Sequence, residues 1–154
     1  MIAAHSPGVM KRFSRAPWRF QQTFETPLHD LDKFVSTIAS AHGHILQASV
    51  TIDQVVFDPE HLNALISADA SPIQLTRDFS ITTDSPQEVE LLLRGALSDW
   101  IDFFFVPTPK PFVIYADHDE FVTFYANTKS HLNQIVKPLA SHGYKVIQNW
   151  EREL

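Results

Sequence analysis

Ile73-Gln74-Leu75-Thr76-Arg77-Asp78-Phe79-Ser80-Ile81-Thr82, followed by Ser85-Pro86-Gln87-Glu88, is the stretch that decides the fold class. Ile73, Leu75, Phe79 and Ile81 alternate with polar residues, so an extended chain here has one apolar side and one wet side. Arg77 is the one polar break on the apolar side. Ser85 to Glu88 has the form of a capping box, with proline at the first helical position, where its missing N–H costs nothing. Val89, Leu92, Leu93, Ala96, Leu97, Trp100, Ile101 and Phe104 then recur at helical spacing. A strand followed by a long capped helix is therefore expected, with Leu92, Leu93, Leu97 and Trp100 buried against a sheet. Pro107, Pro109 and Pro111 should end the helix and stiffen an extended connector.

The same grammar extends outward in both directions. Trp18, Phe20 and Phe24 alternate with polar residues and predict a strand. Thr26-Pro27 supplies an N-cap and a first helical position for a helix carrying Leu28, Leu31, Phe34, Val35 and Ile38. Gly43 stops it, because a left-handed position past a helix end suits glycine. Ile45 to Phe57 is β-rich, and Asp58-Pro59 caps a short helix reaching about Ser67. Asp69 to Pro72 reads as a loop. Phe112 to Tyr115 and Phe121 to Tyr125 read as a hairpin whose tip is Asp117-His118-Asp119-Glu120. Ser130 can cap a last helix bearing Leu132, Ile135, Val136 and Leu139, with Pro138 inside it. Gly143 stops that helix before a final strand from Tyr144 to Trp150. Thr23-Phe24 and Thr123-Phe124 open two runs, 100 residues apart, that both read strand, helix, glycine stop, strand.

These elements predict an α+β fold: a ferredoxin-like βαββαβ order with a small inserted helix and a C-terminal βαβ extension. The sheet should be mostly antiparallel, with helices packed on one face. Residues 18–154 read as a single α+β domain, the expectation for 154 residues. Residues 1–17 read as a flexible basic arm, although an Arg-rich, acid-free start also has the composition of an organelle transit peptide. Met10 offers an alternative start, which would leave Met1 to Val9 without structural purpose.

Composition bounds the chemistry. Hydrophobic residues make up 44% of the chain and charged residues 19%, a globular balance. There is no cysteine, so disulfides, thiolate metal ligands and a cysteine nucleophile are excluded. That usage suits a reducing compartment, and a cytoplasmic location is the expectation. The longest apolar run, Trp100 to Val106, contains Asp102 and is too short to span a membrane. Residues 1–20 carry four bases and no acid, while the other 134 carry 8 bases against 18 acids. So acidic a body is a poor match for nucleic acid and a good one for a basic protein partner.

Two clusters stand out. His42-Gly43-His44 can present two imidazoles to one metal, with His29 as a third candidate ligand. The tract from His42 to Asp53 is locally similar to the zinc motif of the pterin synthase family; that family's catalytic cysteine has no counterpart here. The plainer reading makes His42 the helix end, favoured by the dipole, Gly43 the stop and His44 the start of a strand. The echo His142-Gly143-Tyr144 supports it, so no metal is expected. Asp117-His118-Asp119-Glu120 is the densest polar cluster. Its plain reading is a solvated hairpin tip, Asp being a common turn residue, and its functional reading is a partner-binding surface. The Phe103-Phe104-Phe105 run cannot place all three rings on one helix face.

Phosphate-binding glycine loops, nucleophile elbows, zinc-protease signatures and RNA-binding aromatic strands are all missing from the sequence. The expected function is a non-catalytic protein-binding domain, of an inhibitor or immunity type, that neutralises a basic partner without a cofactor. The competing expectation is a metal-dependent enzyme built on His42, His44 and His29.

Overall fold

The computed structural model describes residues 1–43, 45–66 and 74–153. His44 and Ile73, both used above, lie outside these residues, as does the 69–72 stretch read as a loop. The fold is α+β, and among the described residues it comprises an eight-stranded antiparallel sheet with five helices. In chain order the elements are β1 (Ile2–His5), α1 (Val9–Ser14), β2 (Phe20–Glu25), α2 (Leu31–Ser40), β3 (Gln47–Gln54), α3 (Glu60–Ile66) and β4 (Phe79–Thr83). There follow α4 (Pro86–Ser98), β5 (Asp102–Thr108), β6 (Val113–Ala116), β7 (Phe121–Ala126), α5 (Lys129–Ser141) and β8 (Val146–Ile147). The strands lie in the order β1-β4-β3-β5-β6-β7-β2-β8.

Two features of this sheet depart from expectation. A ferredoxin-like arrangement would seat β2 centrally beside β4, but β2 lies between β7 and β8, and β4 lies between β1 and β3. The cause is β5. Helix α4 ends at Ser98, and Trp100 takes φ +53°, turning the chain back into a strand where a helix end and connector were expected. Strand β5 then pairs with β3 on one side and β6 on the other, and β5-β6-β7 forms a meander that fills the middle of the sheet. Trp100 is consequently only half-buried, whereas Leu92, Leu93 and Leu97 are in the core as predicted.

The second departure is at the N-terminus. The expected flexible arm contains β1, which pairs with β4 from Ile2↔Thr82 to His5↔Phe79, and α1. Met10 is buried, so the residues around it are part of the packed structure. Asp78 fixes α1 in place: its carboxylate accepts from the Gly8 N–H (3.0 Å) and the Met10 N–H (2.9 Å). Those two bonds to an orphaned helix start do the work of a cap, supplied from a distant strand.

The sheet is buried on both faces over its centre. On one side Phe24, Phe103, Phe105, Ile114 and Phe124 pack with α2, α3, α4 and α5 residues in the main core. On the other side Phe104, Val106, Val113, Tyr115 and Tyr125 form a smaller cluster with Met10, Phe13 and Trp18. Helix α1 therefore lies on the face opposite the other four, so the expectation of helices on one face holds for α2–α5 and fails for α1, which the Met10 and Phe13 side chains draw onto the second cluster. The three consecutive phenylalanines are all buried because a strand sends alternate side chains to opposite faces. Phe104 meets Phe13 (5.0 Å between ring centres) and Tyr115 (4.9 Å) on the α1 side.

The 100-residue echo has a direct structural meaning. Thr23 and Thr123 are cross-strand partners in the β2–β7 pairing, and their hydroxyls are 2.8 Å apart in the interior. Gly43 and Gly143 both have positive φ after their helices, as helix stops require. Ser85 stands at the N-cap of α4, but its hydroxyl bonds to Gln87 rather than closing a capping box, and Glu88 instead accepts from Thr83 (2.6 Å). The cap of α5 is Thr128, two residues before the expected Ser130, accepting from the His131 N–H (3.1 Å).

Candidate functional site

The polar residues gather on the α1 side of the sheet, at the end where the hairpin tip lies. Register places Thr51, Phe104, Tyr115, Thr123 and Thr23 in one row across β3, β5, β6, β7 and β2. Beyond this row come Asp102 on β5 and Asp117 after β6, on the same face by alternation, and Asp53, which sits at a register shift of β3 and is reached by the Tyr115 hydroxyl. A carboxylate in a largely buried position is held charged by partners. Each has a partner. Asp53 accepts from the Tyr115 hydroxyl (2.6 Å) and pairs with Arg77. Burial and this bond to Asp53 push the Tyr115 hydroxyl pKa well above the usual tyrosine range. Asp102, buried, accepts from both the N–H (2.7 Å) and the Nδ1 (2.8 Å) of His118. That hydrogen bond holds the His118 pKa above the ordinary histidine value.

The hairpin tip thus divides in two. Asp117 belongs to the fold: one carboxylate oxygen accepts from the Asp119 N–H (2.8 Å) and the Phe121 N–H (3.2 Å), closing the turn. The other pairs with Arg152 at 2.6 Å, both side chains being only 11% exposed. His118 also faces inward, onto Asp102. Asp119 and Glu120 point away, and the Asp119 side chain is 74% exposed. Its only described ion pair is a long one, 3.6 Å to His118 Nε2. Glu120 adopts φ +78°, a left-handed conformation that an L-residue holds at a cost. A solvated tip accounts for this half alone; sequence spacing did not show that Asp117 and His118 are anchored from β5 and from residue 152.

Apolar side chains lie close to the exposed pair in the chain or in space. Glu120 C=O accepts from the Thr26 N–H (2.7 Å), which ties residue 26 to the tip, and Leu28, two residues further along the chain, is 58% exposed. Phe121 contacts the Trp150 ring (5.4 Å), and Trp150 is also exposed.

Arg152 is the residue that sequence reasoning missed most completely. Its Nε donates to the Thr123 hydroxyl (3.0 Å), and its guanidinium lies over the Tyr115 ring (4.7 Å) and beside the Trp150 ring (5.2 Å). The Gln21 side chain holds its backbone from both ends, accepting from the Arg152 N–H (2.8 Å) and donating to the Arg152 C=O (3.2 Å). Beside it the Tyr125 hydroxyl is buried with no hydrogen-bond partner among the described residues, and burial pushes its pKa up to about 12. Nothing in the local sequence of residues 148–153 signals these contacts.

Of the histidines of the metal hypothesis, His42 and His29 are described and lie in separate settings, while His44 falls outside the described residues. His42 Nε2 faces the His131 carbonyl (3.1 Å), and its ring stacks on Phe112 (5.3 Å). Burial holds the His42 pKa below the ordinary value, which favours the neutral ring. His29 is exposed ahead of α2. Among the described residues no group of three or more histidines and carboxylates is placed to hold a metal ion. Another histidine is structural: buried Asp99 accepts from the His61 N–H (3.0 Å), the His61 Nδ1 (2.7 Å) and the Leu62 N–H (2.8 Å) at the start of α3. Among the described residues no helix is long and apolar enough to cross a membrane.

No family model, curated protein or solved structure matches this chain.

Proposed function

We propose that this chain is a non-catalytic protein-binding domain that holds a basic protein, in the manner of an inhibitor or immunity-type protein. One observation carries the reading. At the hairpin tip the groups suited to acid–base work, Asp117, His118 and Asp102, are engaged in bonds that build the fold. The carboxylates of Asp119 and Glu120 are left to solvent, next to Phe121, whose ring meets the exposed Trp150 ring. An apolar anchor rimmed by like charge is the anatomy of a docking surface. The aromatic anchor supplies affinity and the acidic rim speeds encounter with an oppositely charged partner. The overall charge of −6 favours the same partner. The reading requires no cofactor, no nucleic acid and no membrane.

The test uses two baits, the natural chain and its Asp119→Asn/Glu120→Gln variant, exposed to the same extract at low and at raised salt. A basic protein retained by the natural chain at low salt, and depleted on the variant, supports the reading. Identical retention by both baits, with the same salt dependence, refutes it, because exposed charge then plays no part.

A further inference from the structure

We propose that Asp117, Thr123, Tyr115 and Gln21 form a binding site for one arginine in an extended polypeptide, and that Arg152 is its resident occupant. The inference rests on the protein-binding reading only for where a second arginine would come from; the site itself stands on its geometry.

The pocket recognises three separate features of an arginine residue. The carboxylate of Asp117 meets the charge at 2.6 Å, and Thr123 accepts from Nε at 3.0 Å. The Tyr115 ring lies under the guanidinium plane at 4.7 Å, and Asp53 fixes that ring through the Tyr115 hydroxyl. Gln21 reads the main chain: its amide pairs with both the N–H and the C=O of residue 152. A salt bridge alone would need only the first of these. Recognition of side chain and main chain together is how a protein holds a peptide.

The occupant is held as a peptide would be. Residues 150–153 form no helix or strand. Asn149 reverses the chain with φ +58° just after β8, so the segment folds back across the sheet. Exchange is chemically balanced: an arginine from a partner makes the bonds that Arg152 releases. The tether gives Arg152 a high effective concentration, so a short ligand cannot displace it from the natural chain. Lysine is a poor substitute, since it lacks the planar fork and stacks weakly on a ring.

The test is calorimetric titration of the full-length Arg152→Ala chain with acetyl-argininamide, which carries both main-chain groups that Gln21 reads. Binding to this variant at least tenfold tighter than to the natural chain is expected, with a raised melting temperature. Acetyl-lysinamide should bind at least tenfold more weakly, and adding Gln21→Ala to the variant should remove arginine binding. Absence of binding to Arg152→Ala, equal binding to the natural chain, or equal binding of the lysine compound would overturn the proposal. Should Arg152→Ala fail to fold, Arg152→Lys takes its place under the same criteria. Neither probe touches Asp119 or Glu120, so failure here leaves the acidic-tip reading standing, and failure of the bait comparison leaves the pocket standing.

Discussion

Replacing Asp117 alone by asparagine should destabilise the chain by about 3 kcal/mol, although the residue sits in a surface hairpin turn. Exposed ion pairs contribute only about 0–1 kcal/mol, whereas removing one partner of a buried pair costs about 3–5 kcal/mol because the other charge is stranded. Asp117 and Arg152 are each 11% exposed, so water reaches little of the pair. Asparagine keeps one carbonyl oxygen for the Asp119 and Phe121 N–H groups, which spares roughly 1 kcal/mol of turn hydrogen bonding. The net falls near the lower end of the buried range. At this chain length each kcal/mol moves the melting temperature by about 2–4 °C, so a loss of about 6–12 °C is expected. Urea unfolding is the assay, and the midpoint should fall with the slope unchanged, since little surface exposure is altered. The control is Asp119→Asn/Glu120→Gln, which should stay within about 0.5 kcal/mol of the natural chain. A double-mutant cycle with Arg152→Met should show coupling above about 1 kcal/mol. An Asp117→Asn variant as stable as the control would mean that the whole tip is solvated and that residue 152 anchors nothing.

Other substitutions test separate parts of the account. Glu120→Gly should raise stability by about 0.5–1 kcal/mol in thermal unfolding, because glycine accepts the left-handed φ freely; a loss would show that the Glu120 side chain is structural. Thr128→Ala should cost about 1 kcal/mol by removing the cap of α5. Phe104→Ala should cost about 3–5 kcal/mol, as for an interior ring, and a loss under 1 kcal/mol would show that α1 does not cover this face. His118 has its pKa raised in the folded chain by Asp102, so its contribution is complete below the ordinary histidine value and fades as pH rises through the raised one. Stability should therefore decline as pH rises across that window, and His118→Gln should flatten the decline when denaturation midpoints are compared. His42 acts in the opposite sense: burial lowers its pKa, so it opposes folding as pH falls through the ordinary value.

Much of the fold was legible because one-sided burial leaves a period. The start of α4, the β6–β7 hairpin and α5 with its internal Pro138 appeared where helical spacing or alternation placed them. Of the strand expected from Ile73 to Thr82, among the described residues only Phe79 onward forms β4, because Arg77 and Asp78 lie in a turn with Asp78 at φ +68°. Strand β5 was hidden for the converse reason. Asp102-Phe103-Phe104-Phe105-Val106 is apolar on both faces of a strand buried from both sides, so it has no alternation. Its residues also continue the helical spacing of α4, and the turn at Trp100 that separates them leaves no mark in composition. Strand β1 is short and half alanine, and its partner β4 lies more than 70 residues away. The candidate site was half legible: Asp117 was readable as a turn residue, and Asp119 and Glu120 as exposed. That Asp117 is held by Arg152, and His118 by Asp102, is a matter of tertiary proximity that no local pattern encodes.

The most direct test of the central claim is amide and indole chemical-shift mapping of the isotope-labelled chain, titrated with the basic protein retained by the bait. The account predicts that the Asp119 and Glu120 amides, the Leu28 amide and the Trp150 indole respond first and most strongly. Responses confined to α2–α5 or to the β1 edge, with those four signals unmoved, would contradict it.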